Sequence, residues 1–166
     1  SDTFVYIAAF GLFTEVSYKT SQQLKNIFGH VAYIMEGVKQ LRDIPSFRMQ
    51  VEYDGKVFQD EFIYGMVTNS VSVGGFKGMT GNDVKLDDGL FEVTLIRNPK
   101  NPIELNEILA CLTNMIDDSD LIYSFKPDAV HITAKEEVPW TLDGEFGGAH
   151  REVVIRNLKQ RVEIFC

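Results

Sequence analysis

The sequence predicts an α+β fold, a mainly antiparallel β-sandwich with about three helices grouped apart from the strands. Three observations predict it. Apolar residues alternate with polar ones in several segments, as at Met49, Val51 and Tyr53 or at Val130, Ile132 and Ala134. Two stretches, 24–41 and 105–112, instead repeat their apolar residues at helical spacing. Asp-Gly pairs at 54–55 and 143–144 stand between strand-like runs, where they favour two-residue hairpin turns.

In chain order, Phe4 to Phe10 is apolar on both faces and reads as a buried central strand. It opens the sequence with no leading loop, so a preceding part of the protein is expected. Leu24, Ile27, Phe28 and Val31 predict a first helix with Gly29 as a candidate stop. Val31, Ile34, Met35, Val38 and Leu41 predict a second. Met49 to Tyr53 then forms a hairpin with Lys56 to Phe58 through Asp54-Gly55. A strand from Phe62 to Val71 leads into a glycine-rich loop, Gly74 to Gly81, and Phe91, Val93 and Leu95 mark one face of the next strand.

The third helix is signalled by Asn101 as cap, Pro102 at the first position and Glu104 completing a capping-box spacing. Its apolar stripe is Leu105, Ile108, Leu109 and Leu112. Strands return after Pro127: Val130 to Ala134, the Trp140 segment, Glu152 to Ile155, and last Leu158, Val162 and Ile164. Eight or nine strands are expected in one domain, 1–166, without repeats, low-complexity tracts or linkers.

Composition narrows the function classes. The 166 residues are 45% hydrophobic and 24% charged, the balance of an ordinary globular protein. Sixteen basic against twenty-four acidic side chains give a net charge of −8, which argues against a sequence-independent grip on nucleic acid. Cys111 and Cys166 make no disulfide framework and point to a reducing cytosol. No apolar run approaches the ~20 residues that span a bilayer, and no signal peptide is evident. Any contact with lipid is therefore expected to come from the surface of a soluble protein.

Three constellations could carry chemistry. In Trp140-Thr-Leu-Asp143-Gly144-Glu145, followed by Gly147 and Gly148, two carboxylates flank one glycine at a hairpin tip. Asp-Gly alone is simply a turn. A carboxylate held there can also accept a proton from an attacking hydroxyl. Lys85-Leu-Asp87-Asp88-Gly89-Leu90 reads as a turn or as a cation site, because an Asp with two loop carbonyls is a common partial ligand set for Mg²⁺ or Ca²⁺. Gly74-Gly75-Phe-Lys77-Gly-Met-Thr-Gly81 lacks the ending of a phosphate-binding Walker loop. It reads as a surface loop or as a phosphate contact through Lys77. His30, His131 and His150 have no partners at metal-ligand spacing and read as solvent-facing.

Taken together, several stretches resemble one family, the bacterial diacylglycerol kinases and related lipid kinases. These are similar to sphingosine and ceramide kinases and more distantly to NAD kinase. The stretches are Phe10-Gly-Leu-Phe-Thr-Glu-Val-Ser-Tyr18 with Lys25-Asn26, then Gly29-His-Val-Ala-Tyr33 and Asn69 with Gly74-Gly75. Asp88-Gly89-Leu90 and Leu142-Asp143-Gly144-Glu145 complete the series in the family's order. The resemblance covers nearly the whole chain.

It implies the C-terminal domain of an NAD kinase/diacylglycerol kinase-like fold, within a two-domain enzyme. The N-terminal domain, which binds ATP through Gly-Gly-Asp-Gly-Thr, is not in this chain. The resemblance implicates Glu145 as proton acceptor for the lipid hydroxyl, supported by Asp143 and Gly144. It also implicates Asp88, with the backbone carbonyls of Lys85 and Leu90, as ligands of a Mg²⁺ distinct from the one on ATP. Asn69, Gly74, Gly75 and Lys77 are implicated in the phosphate or substrate loop. The stretch Thr80-Gly-Asn-Asp-Val84 departs from the family by lacking Pro-x-Ala before its Asp-Gly.

The expected function is ATP-dependent phosphorylation of a lipid hydroxyl, diacylglycerol to phosphatidic acid, by a cytoplasmic enzyme peripheral to the membrane. This half alone should not turn over. The same fold could act on a sphingoid base, undecaprenol or NAD, or the chain could be a non-catalytic lipid-binding or regulatory domain. Apolar surface is expected where the second domain docks, and it could support a homodimer.

Overall fold

The computed structural model describes residues 2–12, 14, 44–71, 73, 84–112, 118–159 and 161. They form seven strands and one helix: β1 (Ile7–Gly11), β2 (Phe47–Tyr53), β3 (Lys56–Thr68), β4 (Glu92–Arg97), α1 (Pro102–Leu112), β5 (Ile122–Phe125), β6 (Ala129–Leu142) and β7 (Glu145–Arg156). All strand pairs are antiparallel and belong to one sheet.

β1 and β2 share one row of that sheet. β1 pairs with the second half of β3, from Ile7 opposite Thr68 to Gly11 opposite Tyr64, and β2 continues on the first half from Phe47 opposite Phe62. Their other edges pair with β6, Ala8 to Phe10 against Leu142 to Trp140 and Met49 to Glu52 against Ala134 to His131. The buried central strand expected from Phe4 to Phe10 starts only at Ile7: Ala8, Ala9 and Phe10 are buried between two neighbours, whereas Val5 and Tyr6 are exposed and give their N–H groups to the Asp143 carboxylate rather than to a strand. Gly11 ends the first half-strand at φ +85, with the Ile63 carbonyl where a Cβ would stand, so only glycine suits the exit.

The sheet cannot be flat. Only Lys126, Pro127 and Asp128 join β5 to β6, which lie four rows apart in the hydrogen-bonded order. Four rows of a flat sheet span ~19 Å, whereas the chain from Phe125 to Ala129 reaches ~14 Å when extended. The sheet therefore curls, and the Phe91 N–H donates to the Pro127 carbonyl of the β5–β6 connection at 2.8 Å.

The curl encloses a core of Phe10, Met49, Val51, Phe62, Leu95, Ile132 and Trp140. Each such side chain contributes roughly 1.5–3 kcal/mol by burial. Tyr53 stacks on Phe125 with ring centroids 3.9 Å apart, and Phe58 on Tyr123 at 4.7 Å, closing the β2–β3 hairpin over β5. On the outer face Ala9, Ile63, Met66 and Ile96 pack with Ile108 and Leu112 of α1.

α1 starts where its cap predicts. Asn101 Oδ1 accepts the N–H groups of Ile103 and Glu104 at 3.0 Å, and Glu104 returns to the Lys100 N–H at 2.7 Å. The two helices expected at 24–41 and the end of the last expected strand, 162–164, lie outside the described residues.

Three readings need correction. Lys56–Phe58 and Phe62–Val71 are one strand ending at Thr68, because Gln59, Asp60 and Glu61 pair with β2 rather than looping out. Val130–Ala134 and the Trp140 segment are likewise one strand, carried through irregular register between Thr133 and Val138. β5 was not expected, and its four residues are too short for a visible period. Seven strands are therefore found among the described residues, against the eight or nine expected.

Candidate active site

Asp143 and Gly144 form the tip of the β6–β7 hairpin, with Leu142 paired to Glu145. Both turn residues have positive φ, 49° and 91°, as a two-residue type I′ turn requires. Among the described residues no atom stands within 4 Å of where a Gly144 Cβ would be, so the glycine serves the turn. Opposite Trp140, β7 carries an extra residue at Gly147-Gly148, with Gly148 at φ +96. This bulge seats Gly147 against Leu142.

Asp143 does more than turn the chain. Its Oδ2 accepts the Val5 N–H, and its Oδ1 accepts those of Tyr6 and Ile7, each at 2.8 Å. Its own N–H donates to the Ile7 carbonyl at 2.8 Å. Glu145, two residues on, is exposed, and no described residue holds its carboxylate. One acid is thus spent on structure while the other is left exposed.

The segment held by Asp143 is gripped from its other side. The Tyr6 carbonyl accepts the Thr68 hydroxyl at 2.6 Å and the Asn69 N–H at 3.3 Å. Asn69 Nδ2 in turn donates to the Leu86 carbonyl at 3.0 Å. This relay joins the Asp143-Gly-Glu145 turn to the loop carrying Asp88, although 55 positions separate them (143 − 88).

In that loop Asp88 Oδ1 accepts the Leu90 N–H at 2.9 Å, and Gly89 turns at φ +85. Asn157 Nδ2 donates to the Leu90 carbonyl at 3.2 Å, while Lys159 Nζ approaches the Asp88 carbonyl at 3.4 Å. Lys85 is exposed at the start of the loop. Gly74, Gly75 and Lys77 lie outside the described residues.

Glu92 was not anticipated. It is 2% exposed at the head of β4, opposite Thr68. Neither of its carboxylate oxygens receives a hydrogen bond among the described residues, and nor does the buried Asn69 Oδ1. Lys126 Nζ stands 3.6 Å from Glu92 Oε1, an ion pair too long for a hydrogen bond. Burial pushes the Glu92 carboxyl above its ordinary value, opposed by Lys126 and reinforced by the charge of Asp88. The one signal in the sequence was an acid set within the apolar run Leu90-Phe91-Glu92-Val93.

These atoms fit the implied magnesium ion. A hard divalent cation takes carboxylate and carbonyl oxygens. The loop offers Asp88 and the Lys85 and Leu90 carbonyls, and Asn69 and Glu92 add buried oxygens that accept no hydrogen bond among the described residues. The Leu90 carbonyl already accepts from Asn157 but has a second lone pair. Among the described residues no group of three or more His, Cys, Asp or Glu side chains comes together. A cation here would therefore complete its shell with carbonyls or water.

Residues 8–164 match the model of the YegS C-terminal NAD kinase beta sandwich-like domain. The chain belongs to that family. It is 36% identical over 164 residues to the diacylglycerol kinase of Staphylococcus carnosus, covering 98% of this chain and 52% of that protein. With the diacylglycerol kinase of Bacillus subtilis it is 34% identical over 147 residues, covering 87% and 48%. The crystal structure of a diacylglycerol kinase from Bacillus anthracis shares the fold, with TM-score 0.60 and 23% identity over 91% of this chain and 48% of that one. This family member thus spans about half the length of the curated relatives it matches. Among its described residues no helix is long and apolar enough to cross a membrane.

Proposed function

We propose that this domain is the base-bearing half of an ATP-dependent lipid kinase whose acceptor is diacylglycerol. The observation that carries the reading is the relay from Asp143 through Tyr6 and Asn69 to the Asp88 loop, which leaves the Glu145 carboxylate exposed beside it. Diacylglycerol is favoured as the acceptor by the names of the relatives, diacylglycerol kinase in each case. Val5, Leu86 and Phe146, on the segments that the relay joins, are 61%, 58% and 64% exposed. That apolar rim suits a lipid substrate or the docking of the ATP-binding half, in a cytoplasmic protein peripheral to the membrane.

In the reaction, the lipid hydroxyl oxygen bonds to the γ-phosphorus of ATP as its proton passes to the Glu145 carboxylate. The bond from that phosphorus to the bridging oxygen breaks, and ADP leaves. Positioning and charge neutralisation dominate such a transfer. Asp143 holds the turn that carries Glu145, and Asn69 holds the loop that carries Asp88. Asp88 and the carbonyls of Lys85 and Leu90 would hold Mg²⁺, which would supply positive charge at that loop.

The test uses the protein that joins this domain to its ATP-binding half. Glu145→Gln should retain the wild-type thermal midpoint and lose phosphorylation of diacylglycerol from radiolabelled ATP by at least about a hundredfold. Wild-type turnover in that variant would remove Glu145 as the base. A panel of diacylglycerol, a sphingoid base, undecaprenol and NAD identifies the acceptor by which hydroxyl is labelled.

A further inference from the structure

We propose that the far end of β3 carries a second site, a basic cleft that binds a phosphate group. It is independent of the kinase reading. The cleft encloses about 390 Å³ and is lined by Arg48, Arg97, Lys100 and Lys135 around Asp60 and Glu61. Its position along β3, from Glu61 to Asn69, is ~25 Å from the candidate active site at the rise of an extended strand.

Two observations point to an anion. The chain carries a net charge of −8 and only 16 basic side chains, yet four of those 16 line this one cleft. Of the two acids, Asp60 is ion-paired within the cleft, whereas Glu61 is held by neutral donors and keeps its charge, which leaves four cations against two acids. Asp60 Oδ2 pairs with Arg97 Nε at 2.7 Å and accepts the Tyr123 hydroxyl at 3.1 Å, while Asp60 Oδ1 accepts the Glu61 N–H at 2.8 Å. Glu61 Oε1 accepts the Ser46 hydroxyl at 2.5 Å and Asn98 Nδ2 at 3.1 Å. The charged ends of Arg48, Lys100 and Lys135 have no acidic partner among the described residues.

The topology explains how these cations meet. Arg48 stands opposite Glu61 in the β2–β3 ladder, and Ala134, one residue before Lys135, stands opposite Met49 in the β2–β6 ladder. Arg97 ends β4 opposite Phe62, and Lys100 lies just before the α1 cap. Three strands and a helix entrance thus deliver positive charge to a recess of the size that takes a small ligand. Guanidinium and ammonium groups around a polar floor suit a phosphate monoester or diester, free or as a lipid headgroup.

The 166-residue chain is titrated calorimetrically with inorganic phosphate. It is also sedimented with phosphatidylcholine vesicles with and without a lipid phosphate monoester. Arg48→Gln/Lys135→Gln is compared with Lys56→Gln/Arg151→Gln, which removes the same charge elsewhere. If circular dichroism shows the first variant to be unfolded, Lys100→Gln/Lys135→Gln, at two exposed positions, replaces it. The cleft variant should lose about tenfold or more in affinity and the control variant less than twofold. Loss with free phosphate assigns the site to a soluble anion. Loss with the anionic vesicles alone assigns it to a lipid headgroup. Absence of wild-type binding to either probe, or equal loss in both variants, would overturn the proposal.

Discussion

Asp143 holds Tyr6 by its backbone across 137 positions of sequence: Oδ1 accepts the Tyr6 N–H at 2.8 Å, flanked by bonds to Val5 and Ile7. The Tyr6 carbonyl is held in turn by Thr68 and Asn69. The segment entering β1 therefore acts as a strut between the hairpin tip and the β3 terminus. Displacing it would move the loop that carries Asp88.

Asp143→Ala removes all three acceptor bonds and sets a residue with no local side-chain bond at positive φ. Asp143→Asn keeps an oxygen for Tyr6 and Ile7 and tolerates the turn. The alanine variant should lose about 2–3 kcal/mol and the asparagine variant about 1 kcal/mol. Urea midpoints measure both, and equal losses would show that the carboxylate is not a strut.

Gly11 and Gly55 separate the cost of conformation from the cost of contact. Both have positive φ, but a Cβ at Gly11 runs into the Ile63 carbonyl, whereas among the described residues nothing lies within 4 Å of one at Gly55. Gly55→Ala should cost about 1–2 kcal/mol from backbone conformation alone. Gly11→Ala should cost more, because the obstructing atom is backbone in the central row and has no rotamer to escape into. A thermal-melt ranking in the opposite order would contradict the end-to-end placement of β1 and β2.

Glu92 should make the folded state less stable as pH rises. Burial raises its folded pKa, so above the ordinary carboxylate range the unfolded chain ionises while the folded chain still holds its proton. The folded state then binds more protons, and stability falls with rising pH until the raised pKa is passed. With a chelator present, the wild type should lose stability through that window. Glu92→Gln should not, as read by urea unfolding at a series of pH values. Identical pH profiles would mean that the buried carboxyl is not the titrating group.

Much of the fold was legible because local chemistry and tertiary structure agree. Asn101, Pro102 and Glu104 announced α1, and Asp54-Gly55 announced the β2–β3 turn, since caps and type I′ turns depend on residues close in sequence. The polar run Gln59-Asp60-Glu61 misled for the complementary reason. A rim position on a curled sheet tolerates charge inside a strand, and nothing local reports the curl. Glu92 escaped notice for a similar reason, because its burial depends on Thr68 and Lys126, both more than 20 positions away.

The sequence by itself determined the turn at Asp143-Gly144, the carboxylates on either side of Gly144, and the cap and stripe of α1. Each follows from backbone preference and short-range spacing. Only the tertiary structure decided that Asp143 is bound to the entry of β1 and that Glu145 is left exposed. It alone joined the Asp88 loop to the same end of the sheet through Tyr6 and Asn69. The physical reason is that hydrogen bonds to backbone N–H groups carry no residue signature, so the partner of a carboxylate appears only once the strands are paired.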